Sequence, residues 1–251
     1  MLVLNNVSKR FGGLTVLEDM SLRVPAGTLY GLIGPNGSGK TTVFNLVTGL
    51  LAPSAGTITL NGGSLIGLKP YHVTRRGIAR TFQNIRIFKE MTLRENVMVG
   101  MHSHLSYRTM QWLLALPNYR AEEKRAAARA DELLSWMNLA DRAGVMANNL
   151  SYGDQRKLEL VRALATDPKL LLLDEPVAGM NSGEKRELMH EIERIAARGY
   201  TIFMIEHDMR FVVGLCSQIA VLHFGRIISE GKPEEIRNDP AVIEAYLGRE
   251  E

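Results

Sequence analysis

Disulfides, membrane spans and a basic stripe are all missing from this chain of 251 residues. Its single cysteine, Cys216, excludes an internal disulfide and fits a reducing compartment; in an apolar stretch it reads as a small core filler. No apolar run approaches the roughly 18–20 residues that cross a bilayer. Residues 170–173 have the length of a buried strand, and residues 111–116 are too short for a span. The opening Met-Leu-Val-Leu-Asn-Asn lacks the basic region and apolar core of a secretory signal. The expectation is a protein soluble by itself, acting at a membrane only through a separate membrane partner. Aromatic residues are few, at 6%. The 30 lysines and arginines, against 27 acids, leave a net charge of +3 but contain no run of five, which argues against a nucleic-acid partner. There is no internal repeat and no low-complexity segment. What remains, 45% hydrophobic and 23% charged, is enough for a full core in one large domain or two small ones.

Against that background one string stands out. Residues 34–41 read Gly-Pro-Asn-Gly-Ser-Gly-Lys-Thr, after the apolar run 28–33 and before the apolar-rich 43–47. Gly34, Gly37 and Gly39 let the backbone bend so that several N–H groups face phosphate oxygens. The helix that follows adds its positive N-terminal end. Lys40 places a point charge on the outer phosphates, and the Thr41 hydroxyl is placed to ligate Mg²⁺.

Around this loop the pattern alternates between strand and helix. Residues 2–24 hold two apolar-rich runs joined by Phe11-Gly12-Gly13 and, with 57–60 and the Asn61-Gly62-Gly63 turn, predict an antiparallel β layer. Residues 28–33 predict the strand feeding the loop and 40–50 the helix after it. From about 84 to 165 helical signals take over: 90–98, a segment through 112–116, then 120–138, where Ala126, Ala130, Leu133, Leu134 and Met137 recur at helical spacing. This reads as a helical subdomain inserted into an α/β core. Strands are then expected at 169–174 and 200–205. A helix opens at Asn181 with Glu184 three residues on, another covers 208–216, a hairpin pairs 218–223 with 226–230, and Pro233 starts a short C-terminal helix.

Chemistry-bearing residues fall at strand ends. Asp174 and Glu175 close an all-leucine strand, where α/β proteins bind ligands; Asp174 is placed to hold Mg²⁺ and Glu175 to polarise the attacking water. His207 follows the next buried strand and is placed to contact the terminal phosphate. The Gln83 amide, in Arg80-Thr81-Phe82-Gln83, is placed to reach Mg²⁺ or the water. A second anion site opens a helix at Leu150-Ser151-Tyr152-Gly153-Asp154-Gln155-Arg156, where Ser151 and Gly153 offer a hydroxyl and unobstructed backbone N–H groups. Two phosphate sites so far apart in sequence suggest two copies sharing nucleotide, one supplying the lysine loop and the other the serine loop.

With these motifs in this order, the chain resembles the ATP-binding cassette ATPases over essentially its whole length. The resemblance implies an α/β fold: a P-loop NTPase core with an N-terminal antiparallel β subdomain and an inserted α-helical subdomain. It divides the single domain into a RecA-like core plus β subdomain (1–83 and 166–251), a helical subdomain with the signature motif (84–165) and a C-terminal helical tail (231–251). It implies adenine stacking on Phe11 with Val16 beside the nucleotide. The Walker A loop then runs through Gly34, Asn36, Gly37, Ser38, Gly39, Lys40, Thr41 and Thr42, and Gln83 is the Q-loop. Ser151, Gly153 and Asp154 become signature residues, Asp174 the Walker B aspartate, Glu175 the catalytic glutamate and His207 the switch histidine. ATP and Mg²⁺ are the implied cofactors. The implied partners are a second ATPase subunit, identical or paralogous, in a head-to-tail dimer that closes on two ATP, and two transmembrane permease subunits. A periplasmic or extracellular binding protein acts indirectly, and the implied place is the cytoplasmic face of the inner (plasma) membrane.

A narrower resemblance is carried by residues 77–88 (Gly-Ile-Ala-Arg-Thr-Phe-Gln-Asn-Ile-Arg-Ile-Phe), Ala178-Gly179-Met180-Asn181, Ile205-Glu206-His207-Asp208-Met209 and Ala245-Tyr246-Leu247-Gly248. These look like the ATPases of branched-chain amino-acid importers, and the helical stretch around 101–120 fits the larger of the two ATPases there. Importers of urea and short amides, and the ATPase of lipopolysaccharide export, share much of the pattern. Three positions depart from the broad family: Tyr152 and Asp154 replace a glycine and a glutamine of Leu-Ser-Gly-Gly-Gln, and Asn181 replaces the usual aspartate. Neither a tandem cassette nor a long coiled coil marks a DNA-repair or translation ATPase. A kinase or GTPase would leave the 150–156 segment without purpose, and no Asn-Lys-x-Asp string selects guanine. Residues 84–95, beside Gln83, are the expected contact surface for a permease, with Ile85, Ile87, Phe88 and Met91 as its apolar side chains.

Overall fold

The computed structural model describes residues 1–101 and 117–247. The expected helix through 112–116 and most of the 101–120 stretch lie outside the described residues. The first sheet is antiparallel, formed by β1 (Leu2–Phe11), β2 (Leu14–Val24), β4 (Ala55–Leu60) and β5 (Gly63–Ser64) in the order β2-β1-β4-β5. The second comprises β3 (Leu29–Ile33), β6 (Ile78–Arg80), β7 (Leu170–Asp174), β8 (Thr201–Ile205), β9 (Gln218–His223) and β10 (Arg226–Gly231). Its order is β10-β9-β3-β8-β7-β6, and all pairs are parallel except the β9–β10 hairpin.

The central strands are apolar throughout because both faces of the second sheet are covered. Leu170, Leu172, Phe203 and Ile205 face a core shared with the first sheet and with helix α1 (Lys40–Val47), where Phe44 meets Phe203 edge-on at 5.1 Å. Leu171, Leu173, Ile202 and Met204 face the opposite way. They meet α5 (Tyr152–Leu164), α6 (Ser182–Ala196) and α7 (Met209–Leu215), whose apolar residues belong to the same core.

The chain between β6 and β7 is helical, with α3 (Leu93–Met101), α4 (Pro117–Trp136) and 3-10 turns at Ala140–Arg142 and Ala147–Asn149. The predicted stripe on α4 is buried: Ala130, Leu133 and Leu134 are fully enclosed and Ala126 nearly so. Helix α2 (Pro70–Arg75) was not expected. It is six residues long, has no side-chain cap, and starts on a proline whose fixed φ suits a first helical turn. The C-terminal end carries two helices, α8 (Pro233–Arg237) and α9 (Pro240–Leu247), where one was predicted. Asp239 separates them, its side chain accepting from the Ala241 N–H.

Candidate active site

Strands β3, β8, β7 and β6 are consecutive and parallel, so their carboxyl ends share one edge at the roughly 4.8 Å strand spacing. That edge brings together four of the sequence features. The glycine loop leaves β3, His207 follows β8, Asp174 and Glu175 end β7, and Gln83 lies three residues beyond β6.

The loop has the shape of an anion cradle. Gly34, at φ 151°, could carry no side chain: a Cβ there would stand 2.0 Å from the Leu222 carbonyl oxygen. Gly37, at φ 79°, faces open space. The Ser38 hydroxyl is buried and has no hydrogen-bond partner. Helix α1 begins after Gly39 with no side-chain cap, so its first N–H groups are not claimed by one. The Lys40 ammonium donates to the carbonyls of Gly34 and Pro35 at 2.7 and 2.9 Å. Burial lowers its pKa from the ordinary lysine value, while the Glu175 charge opposes the shift. Asn36 and Thr41 are exposed and Thr42 is half-buried. An orphaned hydroxyl, uncapped helix N–H groups and an ammonium gathered on one glycine-bent loop fit a polyphosphate.

Glu175 is the convergence point. Its Oε2 accepts from Gln83 Nε2 at 2.9 Å and lies 3.9 Å from His207 Nδ1. The residue holds φ 46°, a conformation bulky side chains rarely adopt, with its N–H bonded to the Ile205 carbonyl of the adjacent strand at 2.9 Å. The Gln83 amide thus sits on the glutamate itself. Asp174, next door and 4% exposed, is paired at 2.6 Å with Arg80. Thr41, Gln83 and Asp174 offer oxygen donors only, and among the described residues no cluster of three or more His, Cys, Asp or Glu forms a cage. That donor set fits Mg²⁺, which keeps water and phosphate oxygens in its shell.

Several residues that hold this arrangement were not singled out from the sequence. Glu206 is fully buried; its carboxylate accepts from the N–H groups of Val177, His207 and Asp208 at 2.9–3.2 Å, tying the His207 segment to the chain after Glu175. Desolvation raises its pKa, and those hydrogen bonds oppose the rise. Arg156 and Glu159 on α5, both buried, grip the Gln83 segment. Arg156 donates to the Phe82 and Gln83 carbonyls, and Glu159 accepts from the Phe82 and Arg86 N–H groups. For Arg156 and Glu159 the sequence signal was charge at core-facing helical positions; Glu206, just past β8, carried none.

The serine loop lies elsewhere. Ser151 caps α5, accepting from the Asp154 N–H at 3.2 Å, and Asp154 also pairs with Arg142. The Tyr152 hydroxyl donates to the Ala178 carbonyl at 3.1 Å, and a Cβ at Gly153 would meet the Glu184 carboxylate at 3.1 Å. Among the described residues no hydrogen bond or ion pair joins 151–154 to 34–42. The Val16 carbonyl adjoins Gly39, 3.2 Å from where its Cβ would be. Phe11, at the end of β1, is 45% exposed with Lys9 Nζ 4.8 Å over its ring.

The sequence profile described as ABC transporter matches residues 17–178. The chain belongs to the ABC transporter ATPase family. A second profile, described as branched-chain amino acid ATP-binding cassette transporter, matches residues 226–251 of the cassette. The high-affinity branched-chain amino acid transport ATP-binding protein LivG of Salmonella typhimurium is 44% identical over 249 residues, 99% of this chain and 98% of that one. Among solved structures, the ADP conformation of MJ1267, an ATP-binding cassette of an ABC transporter, has a TM-score of 0.85 at 30% identity, covering 99% of each chain. MJ0796, a bacterial ABC transporter cassette solved as a dimer, has a TM-score of 0.78 at 25% identity, covering 93% of this chain and 99% of that one.

Proposed function

We propose that this cassette hydrolyses ATP to drive an importer of branched-chain amino acids through separate permease subunits. The similarity to the Salmonella protein and the match of the C-terminal tail favour that substrate class. Similarity to a lipopolysaccharide export ATPase of Acidithiobacillus ferridurans is lower, at 32% over 99% of this chain. As an ATPase working through separate permeases, the cassette is read as peripheral, at the cytoplasmic face, by its similarity to the transport ATP-binding proteins; among the described residues no helix is long and apolar enough to cross a membrane.

Mg²⁺, held with the nucleotide by Thr41, Asp174 and Gln83, would neutralise phosphate charge. Lys40 and the N–H groups of residues 34–41 bind the phosphates, with Val16 and Phe11 on the adenine side. Glu175 takes a proton from the attacking water, while Gln83 and His207 orient it. Among the described residues no hydrogen bond or ion pair joins Ser151, Gly153 or Asp154 to this edge in their own chain. A second copy or a paralogue, arranged head to tail, would bring its serine loop over the phosphates. The observation that carries this reading is the separation of two anion-binding loops within one chain. For the permease, a groove of about 290 Å³ is lined by Thr74, Phe88, Gly100, Glu159 and Arg162 among others. Of the predicted contact side chains, Phe88 and Met91 are exposed while Ile87 packs on the core.

Glu175→Gln tests both parts. Turnover should fall by about 10²–10⁴-fold, the usual worth of a positioned base. ATP with Mg²⁺ should convert the variant from monomer to dimer in light scattering. Hydrolysis at the unaltered rate would remove Glu175 from its role, and a variant that stays monomeric both alone and mixed with the paralogous ATPase subunit would remove the shared site. Loss of labelled leucine uptake on deleting the gene tests the substrate class, and undiminished uptake would overturn it.

A further inference from the structure

The Walker B carboxylate does not stand alone. Arg80, the last residue of β6, points its guanidinium between the sheet edge and α1. Its Nη2 meets Asp174 Oδ2 at 2.6 Å, and its Nη1 donates to Asn45 Oδ1 at 2.8 Å. Both side chains of the ion pair are almost wholly buried, at 7% and 5% exposure. The guanidinium is flanked by aromatic rings, 5.5 Å from the centroid of Phe44 and 5.1 Å from that of Phe82. An arginine so enclosed has one available pose.

Asn45 gives this pose its meaning. It follows Thr41 by four residues on α1, so the two side chains lie on the same helical face, one turn apart. Arg80 therefore spans from the helix face that carries the Thr41 hydroxyl to the strand end that carries Asp174. Those are two of the three proposed magnesium ligands, and they come from separate elements. Committing Oδ2 to Arg80 leaves Oδ1 of Asp174 for the cation.

We propose that Arg80 is a positioning residue for the magnesium site: a strut that fixes the Asp174 carboxylate and its spacing from Thr41. The proposal rests on the reading of Asp174 as a magnesium ligand. Lysine cannot replace the strut, because a single ammonium lacks the planar fork that reaches Asn45 and Asp174 together. Electrostatics alone predicts the opposite sign, since a cation beside a metal ligand repels the metal.

The test titrates MgCl₂ in two ways: into the ATPase assay, and calorimetrically with ATP in the hydrolysis-deficient Glu175→Gln background. Arg80→Lys should raise the Mg²⁺ concentration for half-saturation by about 10–100-fold, the usual effect of removing a group that orients a metal ligand. Affinity for ATP without Mg²⁺ should stay unchanged. Asn45→Ala, which leaves the ion pair in place, should shift the same parameter in the same direction by less, and it keeps the test open if Arg80→Lys folds poorly. Unchanged Mg²⁺ half-saturation in both variants, or tighter Mg²⁺ binding, would overturn the strut. Asp174→Asn separates the two readings. If it weakens Mg²⁺ and the Arg80 and Asn45 variants do not, only the strut fails; if it too leaves Mg²⁺ binding unaltered, the ligand assignment fails first.

Discussion

Glu206 illustrates how a buried charge organises this edge. Its carboxylate gathers three backbone donors from two segments, and no water reaches it. Because burial raises its pKa above the ordinary value of 4.5, the group contributes most to stability below that pH, and the contribution is lost as pH rises through the raised value. Glutamine at this position has one acceptor oxygen for donors that approach both, so Glu206→Gln should cost about 1–3 kcal/mol near pH 5. The gap to the parent should narrow as pH rises through the raised value, where the parent comes to hold a desolvated charge and the variant does not. Urea unfolding at several pH values measures this, and a gap that widens with pH would contradict it. Lys40, Asp174, Glu175 and His207 were legible in the sequence because a loop string or a strand end announces them. Glu206, Arg80, Arg156 and Glu159 were not. Each is defined by a partner distant in sequence, 94 residues away for Arg80 and Asp174, and a charged residue out of context reads as surface.

At the scale of elements, capping chemistry was the most readable feature. The Asn181 side chain accepts from the Gly183 and Glu184 N–H groups at 2.8 and 3.0 Å, and Glu184 accepts in return from the Asn181 N–H at 2.9 Å. This closes the box expected from an Asn–Glu pair three residues apart. Asn181→Ala should destabilise by about 1 kcal/mol and lower Tm by about 2–4 °C, while Asn181→Asp should keep the cap. Calorimetric scans of the two variants decide it; equal losses in both would mean that the box does not hold α6. The buried strands were equally readable as short apolar runs, but their order was not. Runs of leucine and isoleucine specify burial on two faces and carry no register. The placement of β3 between β9 and β8, which aligns the edge of the candidate site, comes from crossovers that only the folded chain reveals. Helix α2 escaped because six residues without a cap have no periodic pattern to read.

At the scale of the whole molecule, the proposed head-to-tail pair makes the serine loop of one copy meet the lysine loop of the other; within one chain no hydrogen bond or ion pair among the described residues joins them. Tyr152, in place of the usual glycine, bonds the Ala178 carbonyl of its own chain, and Arg156 four residues later grips the Gln83 segment. The serine loop is thereby tied, through Tyr152 and Arg156, to the chain after Glu175 and to the segment that carries Gln83, while among the described residues no hydrogen bond or ion pair joins 151–154 to 34–42. Mixing two inactive variants distinguishes a shared site from a self-contained one. Lys40→Ala removes the phosphate charge from one loop. Ser151→Asp keeps a good N-cap acceptor, so α5 stays capped, but sets a negative charge where a phosphate would approach. Each variant alone should lose nearly all turnover. In a mixed dimer, one site combines both lesions and the other combines the two intact loops. Equal mixing makes about half of the dimers mixed, each with one sound site of two, so roughly a quarter of the parental sites are restored. Recovery of ATPase activity on mixing is the expected result. A mixture no more active than its components would mean that each chain hydrolyses ATP with its own two loops, against the separation in this structure.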